Sequence, residues 1–180
     1  MPSVLILYAT REGQTKKVAA TLSKHMEQAG CTIHLADARD ASATDKLDLD
    51  HYDLLVFGAS MHAGGLEREL VRFVNRHADE IHRKPNSFFL VLLSAATKEP
   101  DVRAVSLADA RQKIDKQFNM KFADTEMIAG ALKYSKYPRP LKWIMQRIAK
   151  QAGEATDTSR DYEYTDWRQV EEYAQRLIRQ

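Results

Sequence analysis

Short apolar runs alternate along the chain with segments whose apolar residues recur at helical spacing. Residues 3–8, 53–58 and 87–93 are apolar on both sides, which is typical of strands buried on both faces of a sheet. Residues 31–37 alternate apolar and polar positions and predict a half-exposed strand, and residues 127–132 predict a fifth. The chain therefore predicts five strands.

The segments between the strands predict helices. Apolar stripes of amphipathic helices occupy residues 18–26 and 66–81, and residues 101–118 fit a helix less cleanly. Gly30 is placed to end the first helix, and Asp166, with Gln169 three residues on, to begin the last. Five strands alternating with helices predict parallel pairing through right-handed crossovers, and hence an α/β three-layer sandwich.

The composition fits one globular domain over residues 1–180. Hydrophobic residues make up 44% of the chain, which excludes disorder, and the net charge of +2 is too small to indicate nucleic acid. The single cysteine, Cys31, allows no internal disulfide and fits a reducing compartment. No apolar run approaches the roughly 20 residues of a membrane helix. The N-terminus leads directly into a core strand, so we expect no signal peptide and a cytoplasmic protein, at most peripheral on the inner face of the cell membrane.

A hydroxyl-rich turn follows the first strand, with the sequence Thr10, Arg11, Glu12, Gly13, Gln14, Thr15. Backbone N–H groups and the macrodipole at the start of the next helix favour an anion there, so the turn predicts a phosphate site. In the alternative interpretation, Thr10 or Thr15 only caps the helix. This alternative stays open because the turn lacks the glycine-rich dinucleotide fingerprint. A phosphate turn after the first strand favours the strand order 2-1-3-4-5, with ligands beyond the carboxyl ends of the strands.

Two further loops share that edge in this order. The loop after the third strand covers residues 58–65 and is rich in glycine and small residues, and the loop after the fourth begins with Ser94, Ala95, Ala96 and Thr97. Both are small and uncharged where they leave the sheet. Such walls suit a flat ring whose polar edge is read by backbone groups, as in a flavin site.

With these loops in place, the chain resembles the flavodoxin-like FMN proteins. It is most similar to the flavodoxin-type protoporphyrinogen IX dehydrogenases, the quinone-dependent enzymes of haem synthesis. The segments that carry the resemblance are residues 10–15, 58–60, 128–132 with Tyr134, 154–158 and 164–167. The resemblance implies a flavodoxin-like sandwich, FMN as cofactor, a porphyrinogen substrate, and menaquinone or ubiquinone as electron acceptor.

The resemblance also implies the FMN-binding residues. They are Thr10, Arg11, Glu12, Gly13, Gln14, Thr15, Ser60, Met61, His62, Ala63, Gly64, Ser94, Ala95, Ala96 and Thr97. The family carries a basic residue and an aromatic where this chain has His62 and Ala63. His62 is the candidate catalytic residue, able to polarise or protonate the reduced flavin, or else it is only a solvated loop residue. The sequence contains no metal-ligand cluster that we would single out.

Alternative functions of the same fold are an electron carrier and an NAD(P)H:quinone reductase. Carriers of this fold tend to be acidic so that they dock on basic partners, whereas this chain is slightly basic. A reductase would need a nicotinamide or 2′-phosphate site, and the sequence gives no separate signal for one. A binding module that has lost FMN would need a broken phosphate turn, and this one looks intact.

A basic insertion covers residues 133 to about 160. Residues 128–153 contain no acidic residue, and the amphipathic helix predicted over 141–152 has a cationic side. The cations there are Lys133, Lys136, Arg139, Lys142, Arg147 and Lys150. Three interpretations of this surface stay open. It is the solvated side of a helix that covers the domain, or it faces an anionic membrane through Lys133 to Lys150, or it binds porphyrin carboxylates. Nucleic acid is disfavoured because the neighbouring loops resemble a flavin pocket. The oligomeric state is left open.

Overall fold

The computed structural model describes residues 1–61, 65–136 and 157–179. Within these residues a parallel five-stranded sheet contains β1 (Ser3–Tyr8), β2 (Thr32–Asp37), β3 (Leu54–Ser60), β4 (Asn86–Leu92) and β5 (Asp124–Ala129). The spatial order is β2-β1-β3-β4-β5, which confirms the predicted order. Strand β1 lies between β2 and β3, with Ile6 opposite Leu35 of β2 on one side and Val56 of β3 on the other.

Helices cover both faces of the sheet. The helices of the described residues are α1 (Gln14–Gln28), α2 (Ala41–Thr44), α3 (Arg68–Arg76), α4 (Ala78–His82), α5 (Pro100–Gln117) and α6 (Trp167–Ile178). Leu22 of α1 and Leu177 of α6 belong to the buried cluster on one face, and Leu70 of α3 and Ile114 of α5 to the cluster on the other. The three-layer sandwich is therefore confirmed.

The predicted helix ends have clear physical causes. Gly30 has a φ of 92°, which a side chain would strain, and its N–H bonds the carbonyl of Glu27 at 3.0 Å. The Asp166 carboxylate accepts the backbone N–H of Gln169 at 3.4 Å and so begins α6. The Gln169 side chain does not complete a capping box, because it donates to the carbonyl of Met127 at 3.0 Å.

Two predicted elements are divided in the structure. The helix expected over residues 66–81 breaks at His77, whose backbone (φ −106°, ψ 20°) ends α3 and precedes α4. The strand expected over residues 127–132 ends at Ala129. After Gly130, β6 (Ala131–Leu132) pairs antiparallel with β7 (Tyr162–Glu163) in a separate two-stranded sheet.

Gly130 explains the second division. Its N–H bonds the carbonyl of Leu92 at 3.1 Å, while its carbonyl accepts the N–H of Tyr164 at 3.0 Å, so it joins the main sheet to the small one. A Cβ at this position would lie 3.2 Å from Cγ1 of Val91, so the lack of a side chain at Gly130 permits close packing against β4.

Strand β3 extends further than the sequence predicts. Ala59 and Ser60, after the predicted last residue Gly58, also lie within it and not in the following loop. A Cβ on Gly58 would collide with the ring of Phe89 on β4, so this glycine serves the packing of the sheet. No helix of residues 1–61, 65–136 or 157–179 is long and apolar enough to cross a membrane. The amphipathic helix predicted over 141–152 lies outside the described residues.

Candidate functional site

The turn between β1 and α1 lies at the carboxyl edge of the sheet and is closed by its own hydrogen bonds. The N–H of Ala9 bonds the carbonyl of Gly58 at 2.9 Å, which ties the turn to β3. The hydroxyl of Thr10 accepts the N–H of Gly13 at 2.9 Å. Gly13 has a φ of 90°, a backbone that favours glycine, and it is the residue from which α1 begins.

Thr15 argues for a bound anion and against a simple helix cap. Residue Gly13, which has no side chain, occupies the cap position of α1, so neither Thr10 nor Thr15 is the cap residue. Thr15 is fully buried, and its hydroxyl has no hydrogen-bond partner among the described residues. Leaving a buried hydroxyl unpaired costs about 1–3 kcal/mol. A phosphate oxygen at the start of α1 would relieve that cost.

Gln14 offers an acceptor at the same place. Its amide nitrogen donates to the hydroxyl of Thr165 at 2.9 Å, and that hydroxyl donates its one proton to the carbonyl of Ala129 at 2.7 Å. The orientation of the amide is thereby fixed, and its buried Oε1 has no partner within the described residues. An unpaired donor on Thr15 and an unpaired acceptor on Gln14 fit the phosphate and the hydroxylated ribityl chain of FMN.

Arg11 links this turn to the end of β3 through Glu67. Its Nε donates to Oε2 of Glu67 at 3.0 Å, and the hydroxyl of Ser60 lies 3.4 Å from the other carboxylate oxygen. The Glu67 side chain is 3% exposed, whereas that of Arg11 is 62% exposed. Two predicted site residues, Arg11 and Ser60, therefore converge on a buried carboxylate that the sequence interpretation missed, since Glu67 carries no local pattern that marks it.

Lys133 also reaches the turn. Its ammonium donates to the carbonyl of Glu12 at 3.2 Å, although 121 residues separate them. The sequence interpretation placed Lys133 in the basic insertion and left open whether that surface is solvated, faces an anionic membrane or binds porphyrin carboxylates. In the structure it lies instead against the predicted phosphate site, and only its position directly after the fifth predicted strand hinted at this.

Residues of β7 and α6 brace the first turn of α1. The Glu163 carboxylate accepts hydrogen bonds from the ammonium of Lys17 at 2.5 Å and from the indole of Trp167 at 2.9 Å. The Lys17 ammonium lies 4.9 Å from the centroid of the Trp167 ring. Burial raises the pKa of Glu163, but the bonds from Lys17 and Trp167 outweigh burial and leave this pKa below its usual value. Glu163 is therefore ionised at neutral pH.

The loops after β3 and β4 meet at the same edge. The N–H of Met61 bonds the carbonyl of Val91 at 3.0 Å, and a short 3₁₀ helix, Leu93–Ala96, follows β4. Thr97 is 5% exposed. A cavity of about 370 Å³ adjoins this loop and is lined by Ala95, Ala96, Lys98, Arg103, Ala129, Tyr164, Asp166 and Gln169. His62, Ala63 and Gly64 lie outside the described residues, so their roles stay predictions.

The fold and the turn after β1 define a flavodoxin-like protein. A family model described as a flavodoxin domain matches residues 5–159, and the chain belongs to this family. Its cofactor is FMN. The chain is thus an enzyme of the oxidoreductase class that uses a flavin.

Relatives with an assigned activity match most of the chain. The protoporphyrinogen IX dehydrogenase [quinone] of Escherichia coli K12 is 30% identical over 173 residues, which cover 96% of this chain and 93% of the relative. The Leishmania major protein of the same name is 26% identical and covers 96% of this chain and 73% of its own length. Oxidised flavodoxin 1 from Bacillus cereus superposes with a TM-score of 0.56 at 15% identity, covering 98% and 97% of the two chains, and shares the fold.

Proposed function

We propose that this chain is a quinone-dependent protoporphyrinogen IX dehydrogenase, which oxidises protoporphyrinogen IX to protoporphyrin IX in haem biosynthesis and passes the electrons to a quinone. The observation that carries the proposal is the 30% identity, over 96% of the chain, to the Escherichia coli enzyme of that name. The match covers nearly all of this chain and 93% of the relative, which supports comparing the two at the level of the whole-chain function.

The residues of the first turn bind the phosphate end of FMN in this proposal. Thr15 donates its hydroxyl, backbone N–H groups at the start of α1 face the anion, and Gly13 lets the turn close tightly. Ser60, Met61 and residues 94–97 form the walls of the ring site. Bound FMN supplies the redox chemistry, accepting hydride equivalents and releasing electrons, while the protein supplies position and electrostatics.

The proposal assigns the substrate to the neighbourhood of His62 and the electron acceptor to the basic insertion. His62 is the candidate for polarising or protonating the reduced flavin, because histidine changes charge near neutral pH.

The basic insertion over residues 133 to about 160 of the single domain 1–180 would face an anionic membrane surface, where menaquinone or ubiquinone dissolves. The enzyme would then work in the cytoplasm, peripheral on the inner face of the cell membrane.

Anaerobic half-reactions test the proposal. The purified FMN-loaded protein is mixed in molar excess with protoporphyrinogen IX, because porphyrin formation releases more electrons than one flavin accepts, and we expect the oxidised-flavin absorbance to bleach while porphyrin fluorescence appears. Addition of a menaquinone or ubiquinone analogue should then restore the flavin absorbance. Free FMN at the same concentration is the control for spontaneous oxidation.

The other outcomes point to other functions. Bleaching by NADH or NADPH, with no response to the porphyrinogen, would make the protein an NAD(P)H:quinone reductase. Reduction only by a partner reductase protein would make it an electron carrier. Failure to retain or bind FMN would refute the flavin site itself.

A further inference from the structure

Lys133 is held in place by its two neighbours in the sequence. Leu132 and Tyr134 are both fully buried, and Leu132 pairs with Tyr162 across the small antiparallel sheet. Leu132 ends β6, Tyr134 begins a short 3₁₀ helix, and the two side chains belong to one buried cluster, so the backbone is fixed on both sides of Lys133. Its backbone is therefore anchored, and its half-buried side chain is directed to the turn between β1 and α1.

The peptide group between Glu12 and Gly13 is bonded at both ends. The Lys133 ammonium donates to its carbonyl at 3.2 Å, and its N–H donates to the hydroxyl of Thr10 at 2.9 Å. This peptide is the last before α1 begins. An ammonium has three N–H donors, so its bond to one carbonyl leaves donors for a further acceptor.

A bound anion would stabilise a cation at this location, where the ionised Glu163 is already paired with Lys17. The first turn of α1 contains no acidic residue, and the macrodipole places partial positive charge at this end of the helix. A lysine directed at this end adds like charge, which a phosphate dianion would offset. The buried hydroxyl of Thr15, which has no partner among the described residues, lies in the same turn and independently offers a donor to a bound phosphate.

We propose that Lys133 is a phosphate-binding residue, whose ammonium bonds the phosphate of FMN while it holds the Glu12 carbonyl. The proposal rests on the FMN site assigned under the proposed function. It gives Lys133 a cofactor role and separates this residue from the membrane role proposed for the rest of the insertion. The charge of Lys133 would favour FMN over riboflavin, which has the same ring and ribityl chain but no phosphate.

Titration of the apoprotein with FMN and with riboflavin, followed by quenching of flavin fluorescence, tests this role. We expect Lys133→Met to weaken FMN binding about 10- to 100-fold, the range for a charge-assisted hydrogen bond, and to change riboflavin binding less than about 3-fold. Lys133→Arg should retain most of the FMN affinity. The preference for FMN over riboflavin should also shrink with added salt in the wild-type protein.

Lys16→Met is the matched control. Lys16 is exposed in the first turn of the same helix, so its removal deletes one positive charge near the site without deleting a donor to the turn. If Lys16→Met weakens FMN as much as Lys133→Met, the effect is long-range electrostatics and the proposal is wrong.

Other results also overturn it. Equal losses for FMN and riboflavin would show that Lys133 only shapes the turn through the Glu12 carbonyl, and unchanged FMN affinity would show that it does not contact the phosphate. Lys133→Gln is made alongside, and if neither neutral variant binds riboflavin, Lys133 is needed for the fold and the proposal fails. A wild-type protein that binds no FMN would instead refute the cofactor site, a result distinct from all of these.

Discussion

The side-chain amide of Gln14 donates a 2.9 Å hydrogen bond to the hydroxyl of Thr165, across 151 residues of sequence. The Thr165 hydroxyl in turn donates a hydrogen bond to the carbonyl of Ala129, the last residue of β5, at 2.7 Å. The first turn of α1 is thus coupled to the end of the sheet and to the segment that leads into α6. The proposed phosphate site is supported by residues from the end of the chain.

Replacing Thr165 by valine should destabilise this coupling. Thr165→Val keeps the shape of the side chain but removes the partner of the Gln14 amide and of the Ala129 carbonyl, both buried with it. We expect the free energy of unfolding to fall by about 1–3 kcal/mol in urea. Thr165→Ser keeps the hydroxyl and should lose less. A valine variant more stable than the serine variant would contradict the role of the hydroxyl.

Local patterns in the sequence were sufficient for the main sheet and the first turn. Strand β1 is apolar from Val4 to Tyr8, which predicts a buried strand. Thr10–Thr15 combines hydroxyls with a glycine at a strand-to-helix junction, which predicts the turn. The confirmed strand order followed from alternation and from the position of that turn.

Contacts between distant segments were not predictable in this way. Lys133 reaches Glu12 only because Gly130 redirects the chain into a second sheet, and a two-residue strand such as β6 has no periodicity to detect. The Arg11–Glu67 pair likewise joins two segments that are 56 residues apart in the sequence. The glycine-rich loop that begins at Gly58 was predicted to form a wall for a flat ring. In the structure, a glycine is needed at position 58 because a Cβ there would collide with the ring of Phe89 on the neighbouring strand.

A methyl group at Gly58 should destabilise the sheet through Phe89. The added Cβ of Gly58→Ala would overlap the Phe89 ring, which is fully buried and cannot move outward. We expect a loss of about 1–3 kcal/mol in the free energy of unfolding, typical of overpacking. The double variant with Phe89→Leu should recover part of that loss, because the ring is the obstacle. Strictly additive losses in urea unfolding would contradict this contact.

Tyr173 should make stability depend on alkaline pH. Its hydroxyl is fully buried and lies 2.6 Å from the hydroxyl of Ser87. Burial raises the pKa of Tyr173 well above its ordinary value, and the hydrogen bond with Ser87 offsets only part of that rise. The folded protein therefore keeps this proton above about pH 10, where the unfolded chain loses it.

The sign of the effect follows from proton binding. The stabilisation is complete below the unfolded pKa and is lost as the pH rises toward the folded one, so the free energy of unfolding should fall above about pH 10. Tyr173→Phe should flatten this fall in urea titrations while costing about 1 kcal/mol at neutral pH. Some slope should persist, since burial also raises the pKa of Tyr8, Tyr52 and Tyr134. An unchanged slope in the variant would exclude Tyr173 as its source.

Neutralising the cations of the predicted helix over residues 141–152 should weaken membrane binding. Lys142, Arg147 and Lys150 lie on the cationic side of the predicted helix, and basic residues near an anionic leaflet contribute on the order of 1 kcal/mol each. We expect the variant with all three replaced by glutamine to sediment less with phosphatidylserine vesicles than the wild type. Neutral phosphatidylcholine vesicles are the control. Equal sedimentation of the two proteins with anionic vesicles would refute the membrane role.

Removing the hydroxyl of Thr15 should have opposite effects on the apoprotein and on the complex with FMN. In the apoprotein this buried group has no partner among the described residues, so Thr15→Val should leave the thermal midpoint unchanged or higher. In the complex the variant lacks a donor to the phosphate, and FMN affinity should fall about 10- to 100-fold.

Thr21→Val is the control for a β-branched substitution on the same helix. The Thr21 hydroxyl donates to the carbonyl of Lys17 at 2.9 Å, and Thr21 lies nearly two turns beyond Thr15 along α1, away from the helix start. FMN affinity should be unchanged in this variant. If Thr15→Val lowered the apoprotein's thermal midpoint and left FMN affinity intact, Thr15 would be a structural residue. The turn after β1 would then lose the one buried donor that argues for a phosphate there.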